Sequence, residues 1–115
     1  MIVIDTNVVA YHLLQTDPFA EEIQRLARRE PDWVAPPLLR SELRNVLALQ
    51  HRERDLPIRE AKKLAGQAEA LFENALLEVE SGTIFDLAVQ SDLSAYDCEY
   101  IALAQRMAPE QSRRG

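Results

Sequence analysis

Apolar and polar positions alternate along the chain in a way that divides it into short strands and amphipathic helices. Met1-Ile2-Val3-Ile4 is an unbroken apolar run, too short for a helix and rich in β-branched residues. It reads as a strand buried on both faces, in the middle of a parallel sheet covered by helices. The run stops at Asp5. Val8 to Leu14 then reads as a short apolar helix ending near Thr16-Asp17, and Pro18 suits the first turn of a second helix. Phe19, Ile23, Leu26 and Ala27 make the apolar stripe of that helix, while Arg25, Arg28 and Arg29 line another side. Pro31-Asp32 breaks the pattern, and Trp33-Val34-Ala35 reads as a second strand. Pro36-Pro37 ends it and opens a helix over Leu38 to Gln50. The polar stretch His51 to Leu56 reads as a surface connection.

Pro57 begins a long amphipathic helix, with Ala61, Leu64, Ala65, Ala68, Leu71 and Phe72 at helical spacing. Leu76 to Val79 reads as a third short strand and Ser81-Gly82 as a turn. Thr83, with Asp86 three residues on, resembles a capping box before a short helix carrying Ile84, Leu87 and Ala88. Ser94 with Asp97 repeats the device before a last helix, Ala95 to Met107, on which Tyr96, Tyr100, Leu103 and Met107 form one stripe. The pattern then stops: residues 108–115 read as a frayed tail to a domain of residues 1–107. Strands alternating with helices predict an α/β fold built on a short parallel sheet.

Bulk properties narrow the function. A chain of 115 residues, 47% hydrophobic and 28% charged, is that of one ordinary soluble domain. No apolar run approaches the roughly 18 residues needed to span a bilayer, and the N-terminus carries no export signal. Cys98 is the only cysteine, which excludes a disulfide framework or a thiol zinc site within one chain and makes a cytoplasmic location the expectation. The net charge of -6 does not favour bulk attraction to a polyanion. It suits carboxylates gathered for a cation.

Three carboxylates are candidates for that role. Asp5 stands where the first strand leaves the sheet, the edge at which α/β folds collect ligands and catalytic groups. It could equally cap the helix that follows, as could Asn7. Glu42 falls on or beside the apolar stripe of its helix, which leaves it either at the edge of the core or pointing into a polar crevice. Asp97 fits the third position of a capping box, yet a helix N-terminus faces the same edge of the sheet as Asp5, so both roles are compatible. Were the three to converge, they would repel one another unless a cation sat among them. All-oxygen ligands that leave positions to water suit Mg²⁺ or Mn²⁺, and such a site supports phosphodiester hydrolysis. Three glycines in the whole chain leave no phosphate-cradling loop. Cys98, His12 and His51 have no evident catalytic partners.

These residues resemble a known family. Ile2-Val3-Ile4-Asp5-Thr6-Asn7 at the start, Ser41-Glu42 early in the helix after Pro36-Pro37, and Leu93 to Ala104, with Tyr96-Asp97-Cys98-Glu99-Tyr100 at its centre, are similar to the PIN domain. The similarity is greatest to the small bacterial ribonuclease toxins of the VapC type and covers about residues 1–107. The resemblance implies a three-layer sandwich with helices flanking the sheet, and an acidic pocket binding Mg²⁺ or Mn²⁺. It implies endoribonuclease activity, a homodimer and a cognate antitoxin that fills the groove. By position, Asp5, Glu42 and Asp97 match the family's acidic set, and Thr6 and Asn7 match the polar residues that help orient the first aspartate or a water on the metal.

In one respect the chain departs from that pattern. The family continues past its last helix into a strand and a fourth acid, whereas here only Glu99 and Glu110 follow Asp97. The C-terminal strands look truncated. Three outcomes stay open: an enzyme working with three acids, a weak metal site with little activity, or a sheet completed by a partner chain. Arg40 and Arg44, on the helix that carries Glu42, are the preferred RNA contacts, although either could pair with a surface acid instead. The leading expectation is a metal-dependent endoribonuclease toxin. The alternative is a catalytically impaired PIN domain that binds protein or RNA. A phosphatase using Asp5 as nucleophile is a weaker third reading, because no Asp-x-Asp pattern follows the first strand.

Overall fold

The computed structural model describes residues 1–15 and 19–108. Its elements are, in order, β1 (Ile2–Val3), α1 (Thr6–Leu14), α2 (Ala20–Arg29), β2 (Trp33–Val34), α3 (Leu38–Arg54), α4 (Ile58–Leu71), α5 (Ser81–Gln90) and α6 (Ala95–Met107). The expected helix end at Thr16-Asp17, the Pro18 start and all of the tail beyond Ala108 lie outside the described residues.

The two strands run parallel, with Ile2 opposite Trp33 and Val3 opposite Val34. The Ile2 N–H donates to the Asp32 carbonyl at 2.9 Å and the Ile4 N–H to that of Val34 at 3.0 Å. A parallel pair needs a crossover of a dozen or more residues, which α1 and α2 supply. β1 is shorter than its apolar run, and among the described residues it pairs on one side only. Ile2 and Val3 are consequently half-buried, not enclosed on both faces as expected, and only Ile4 is fully covered. The third strand, expected over Leu76 to Val79, is reduced to one parallel bridge between Ala35 and Leu76. The Ala35 N–H donates to Ala75 and the Leu77 N–H to Ala35. The next parallel rung would need a backbone N–H at residue 37, and Pro37 has none, so the ladder goes no further; the Glu78 carbonyl instead accepts from the Arg106 guanidinium at 2.7 Å.

One core ties sheet and helices together. Trp33 and Ala35 face Val9 and Ala10 of α1, Leu39, Leu43 and Leu47 of α3, and Ala61, Leu64 and Ala68 of α4. The four-residue spacing of the α3 leucines puts them on one face. On the other flank α6 packs on β1 and buries Cys98, Ala102 and Leu103.

Two helix boundaries differ from the sequence expectation. α3 does not stop at Gln50 but runs to Arg54, because nothing before Pro57 obliges it to stop. Asp55 then adopts the left-handed conformation at φ 58°, and the carbonyl of Gln50 accepts from both Asp55 and Leu56. α5 begins at Ser81, so Ser81-Gly82 is helix, not turn. Glu80 is its N-cap residue, and no side chain caps it, so the Thr83–Asp86 pair forms no capping box. Ser94 does cap: its Oγ accepts from the Asp97 N–H at 3.1 Å, and α6 spans the expected residues.

Candidate active site

Asp5, Thr6, Asn7, Glu42, Asn45, Val46, Asp97 and Tyr100 line one open cleft of about 340 Å³. Three elements deliver the acids. Asp5 follows β1 and caps α1, its Oδ1 accepting from the Val8 N–H at 3.0 Å. The capping and cleft roles weighed for Asp5 therefore coexist. Glu42 comes from α3, half-buried beside the leucine face. Asp97 comes from the first turn of α6, which Ser94 holds in place.

A knot of hydroxyls joins these elements. Thr6 Oγ1 donates to Glu42 Oε1 at 2.8 Å, and the Tyr100 hydroxyl donates to the same oxygen at 2.6 Å. The two hydroxyls lie 2.9 Å apart. Each carries one proton, and with both protons committed to Glu42 neither has one left for the other. Burial raises the Tyr100 phenol well above the usual tyrosine range. Its bond to Glu42 and the charges of Glu42 and Asp5 push the same way, against an opposing effect of Thr6. Tyr100 thus stays a proton donor at any physiological pH. Glu99 does not line the cleft, but burial first, then the charges of Glu42 and Glu78, raise its carboxyl above the ordinary value.

Among the described residues the cleft's lining holds three carboxylates and no Lys, Arg, His or Cys. Its donors are all hard oxygens, and its volume exceeds that of a hydrated ion. That chemistry fits Mg²⁺ or Mn²⁺, which use a few carboxylates and keep several waters. The acids line the cleft without forming a closed cage. Among the described residues, no three His, Cys, Asp or Glu side chains are gathered closely enough to hold one ion. Mutual repulsion keeps uncompensated carboxylates apart.

Arg40 and Arg44 do not reach this cleft. They line a separate, largely apolar groove between α3 and α4, where Arg44 lies 3.6 Å from Glu69. Helix geometry explains this placement, since residues two apart from Glu42 in either direction point away from it. The same rule could have found two cleft residues that were overlooked. Asn45 is three residues after Glu42, and Tyr100, first read as packing, is three after Asp97. Tyr96, expected on the same packed stripe, is 63% exposed. Trp33 is buried in the core.

Compared with known proteins, the chain matches the family model of the PIN domain over residues 2–108. No curated protein sequence matches it. Among the described residues no helix is long and apolar enough to cross a membrane.

Proposed function

Because the chain belongs to the PIN domain family, whose members are in general divalent-metal-dependent nucleases, we propose that it is an Mg²⁺- or Mn²⁺-dependent endoribonuclease and the toxin of a type II toxin–antitoxin pair. The observation that carries this reading is a cleft lined by Asp5, Glu42 and Asp97, to which no basic side chain among the described residues contributes. An uncompensated acidic cleft repels a phosphodiester, so substrate can enter only with cations that offset the charge.

In this reading Asp5, Glu42 and Asp97, which line the cleft without enclosing an ion in its absence, would hold it together with several waters. When bound, a divalent cation supplies charge to the scissile phosphate and makes a coordinated water more acidic. The chain's own residues do the rest. Asp5 keeps one oxygen on the Val8 N–H, which anchors its carboxylate in the cleft lining and leaves the other oxygen for the ion. Thr6 holds Glu42, a different task from the one expected for it beside Asp5. Asn7 and Asn45, both exposed, offer amide donors and acceptors to a ribose or a base. A homodimer and an antitoxin segment lying in the cleft belong to the same proposal. They are supported by the resemblance to VapC-type toxins, and for the antitoxin by the openness of the cleft.

The test is cleavage of RNA by the purified chain with Mg²⁺ or Mn²⁺, against EDTA and an Asp5→Asn control. Cleavage that needs the metal and disappears in the variant is expected. Equal cleavage by Asp5→Asn would trace the activity to a contaminant and sink the reading. Tight RNA binding without cleavage would select a binding module instead.

A further inference from the structure

We propose that Tyr100 is a positioning residue for Glu42: its hydroxyl, together with that of Thr6, pins one carboxylate oxygen so that the other is free for a divalent cation. The inference rests on the reading of Glu42 as a cation ligand. Both hydroxyls converge on Oε1, from α6 and from the first turn of α1. Among the described residues nothing binds Oε2. A glutamate has three rotatable side-chain bonds, and two short hydrogen bonds to one oxygen remove most of that freedom before any ligand arrives. In a partly desolvated cleft such bonds are stronger than in water.

The chemistry of the two partners favours this role over simple satisfaction of a buried acceptor. A lysine or arginine in the place of Tyr100 would neutralise Glu42 and compete with the cation. Hydroxyls orient the carboxylate without cancelling its charge. The ring is a separate matter, since it packs on the hydrophobic core. Removing only the hydroxyl therefore separates positioning from packing.

The experiment is calorimetric titration of the whole chain with Mn²⁺, together with melting in metal-free buffer, for the wild type, Tyr100→Phe, Thr6→Val, Thr6→Ser and Glu42→Gln. Tyr100→Phe is expected to bind Mn²⁺ about tenfold or more weakly, the usual effect of losing a partner of a metal ligand, with little change in metal-free melting. Thr6→Val should weaken binding as well, and Thr6→Ser, which restores a hydroxyl, should recover it. Wild-type affinity in Tyr100→Phe would overturn the inference while leaving the cation site intact. Loss of the metal-free fold in that variant would also overturn it, because the hydroxyl would then hold the domain and not the carboxylate. If the wild type takes up no Mn²⁺, or Glu42→Gln binds it normally, the cation reading itself fails and the inference goes with it.

Discussion

α5 and α6 are consecutive helices of similar length that pack on each other, yet they belong to different environments. α6 lies on β1, buries Cys98, Ala102 and Leu103, and brings Asp97 and Tyr100 to the acidic cleft. α5 buries no residue at all: Ile84, Leu87 and Ala88 are half-covered, while Phe85 and Val89 are 64% and 86% exposed. Apolar character alone does not decide burial. A helix is enclosed when it has the sheet on one side and a neighbour on the other, and α5 has only a neighbour. The site is built entirely on the enclosed side, where side chains are held firmly enough to fix a cleft.

The largest effect expected from this contrast is at Leu103, whose side chain is wholly buried. Leu103→Ala should cost about 2–5 kcal/mol, lost transfer energy plus a cavity. That is a large part of the roughly 5–15 kcal/mol that holds a typical domain. Urea unfolding monitored by circular dichroism measures it. A loss below about 1 kcal/mol would mean that α6 is no better anchored than α5.

A smaller but sharper effect separates the two helix starts. The sequence shows two capping-box patterns, Thr83 with Asp86 and Ser94 with Asp97, and only the second makes a cap. Ser94→Ala should cost about 1 kcal/mol and, by loosening the turn that carries Asp97, should lower any cleavage rate. Thr83→Ala should be nearly neutral. Equal losses from both, in the same unfolding assay, would put a real cap at Thr83.

That pair of motifs also shows how much could be read in advance. The α6 range and the candidacy of Asp5, Glu42 and Asp97 were legible, because each rests on local signals: a cap, a strand end, a helix face. That the three acids would share a cleft was conditional and expected only from the family resemblance. The sequence did not reveal which of two similar caps would be used, since that depends on where the preceding segment leaves the sheet. It did not reveal that α3 continues past Gln50, because polar residues such as His51 and Arg52 fit an exposed helix as well as a loop. The Tyr100–Glu42–Thr6 knot spans residues 58 and 36 positions apart, and no local pattern encodes a contact of that kind.

The enclosed side should also be the more sensitive to acid. His12, on α1, packs edge-on against Trp33 with ring centroids 5.2 Å apart, and its Nδ1 is buried without a hydrogen-bond partner among the described residues. Burial lowers its pKa below the ordinary 6.5, so the fold favours the neutral ring. The resulting contribution is complete above about pH 6.5 and is lost as the pH falls through the lower folded value. Melting temperature should therefore decline between pH 7.5 and 5.5, and His12→Gln should flatten that decline. An unchanged slope in the variant would show that His12 is not its source. α5 has no comparable group, since its single titratable residue, Asp86, is exposed.

The smallest effect is expected on α5 itself, where Phe85→Ser and Val89→Ser remove large apolar side chains that the chain does not bury. Surface changes of this kind usually fall within about 0.5 kcal/mol, and both variants should melt close to the wild type when dilute. The comparison becomes more informative if concentration is varied. A monomer's melting temperature does not depend on it, whereas two chains that cover each other's α5 would melt higher as concentration rises. Were the wild type to show that rise and Phe85→Ser to abolish it, α5 would be enclosed after all, by a second chain in place of a sheet. A flat profile for both would leave α5 as an exposed outer helix, with α6 as the only one of the pair on which the fold depends.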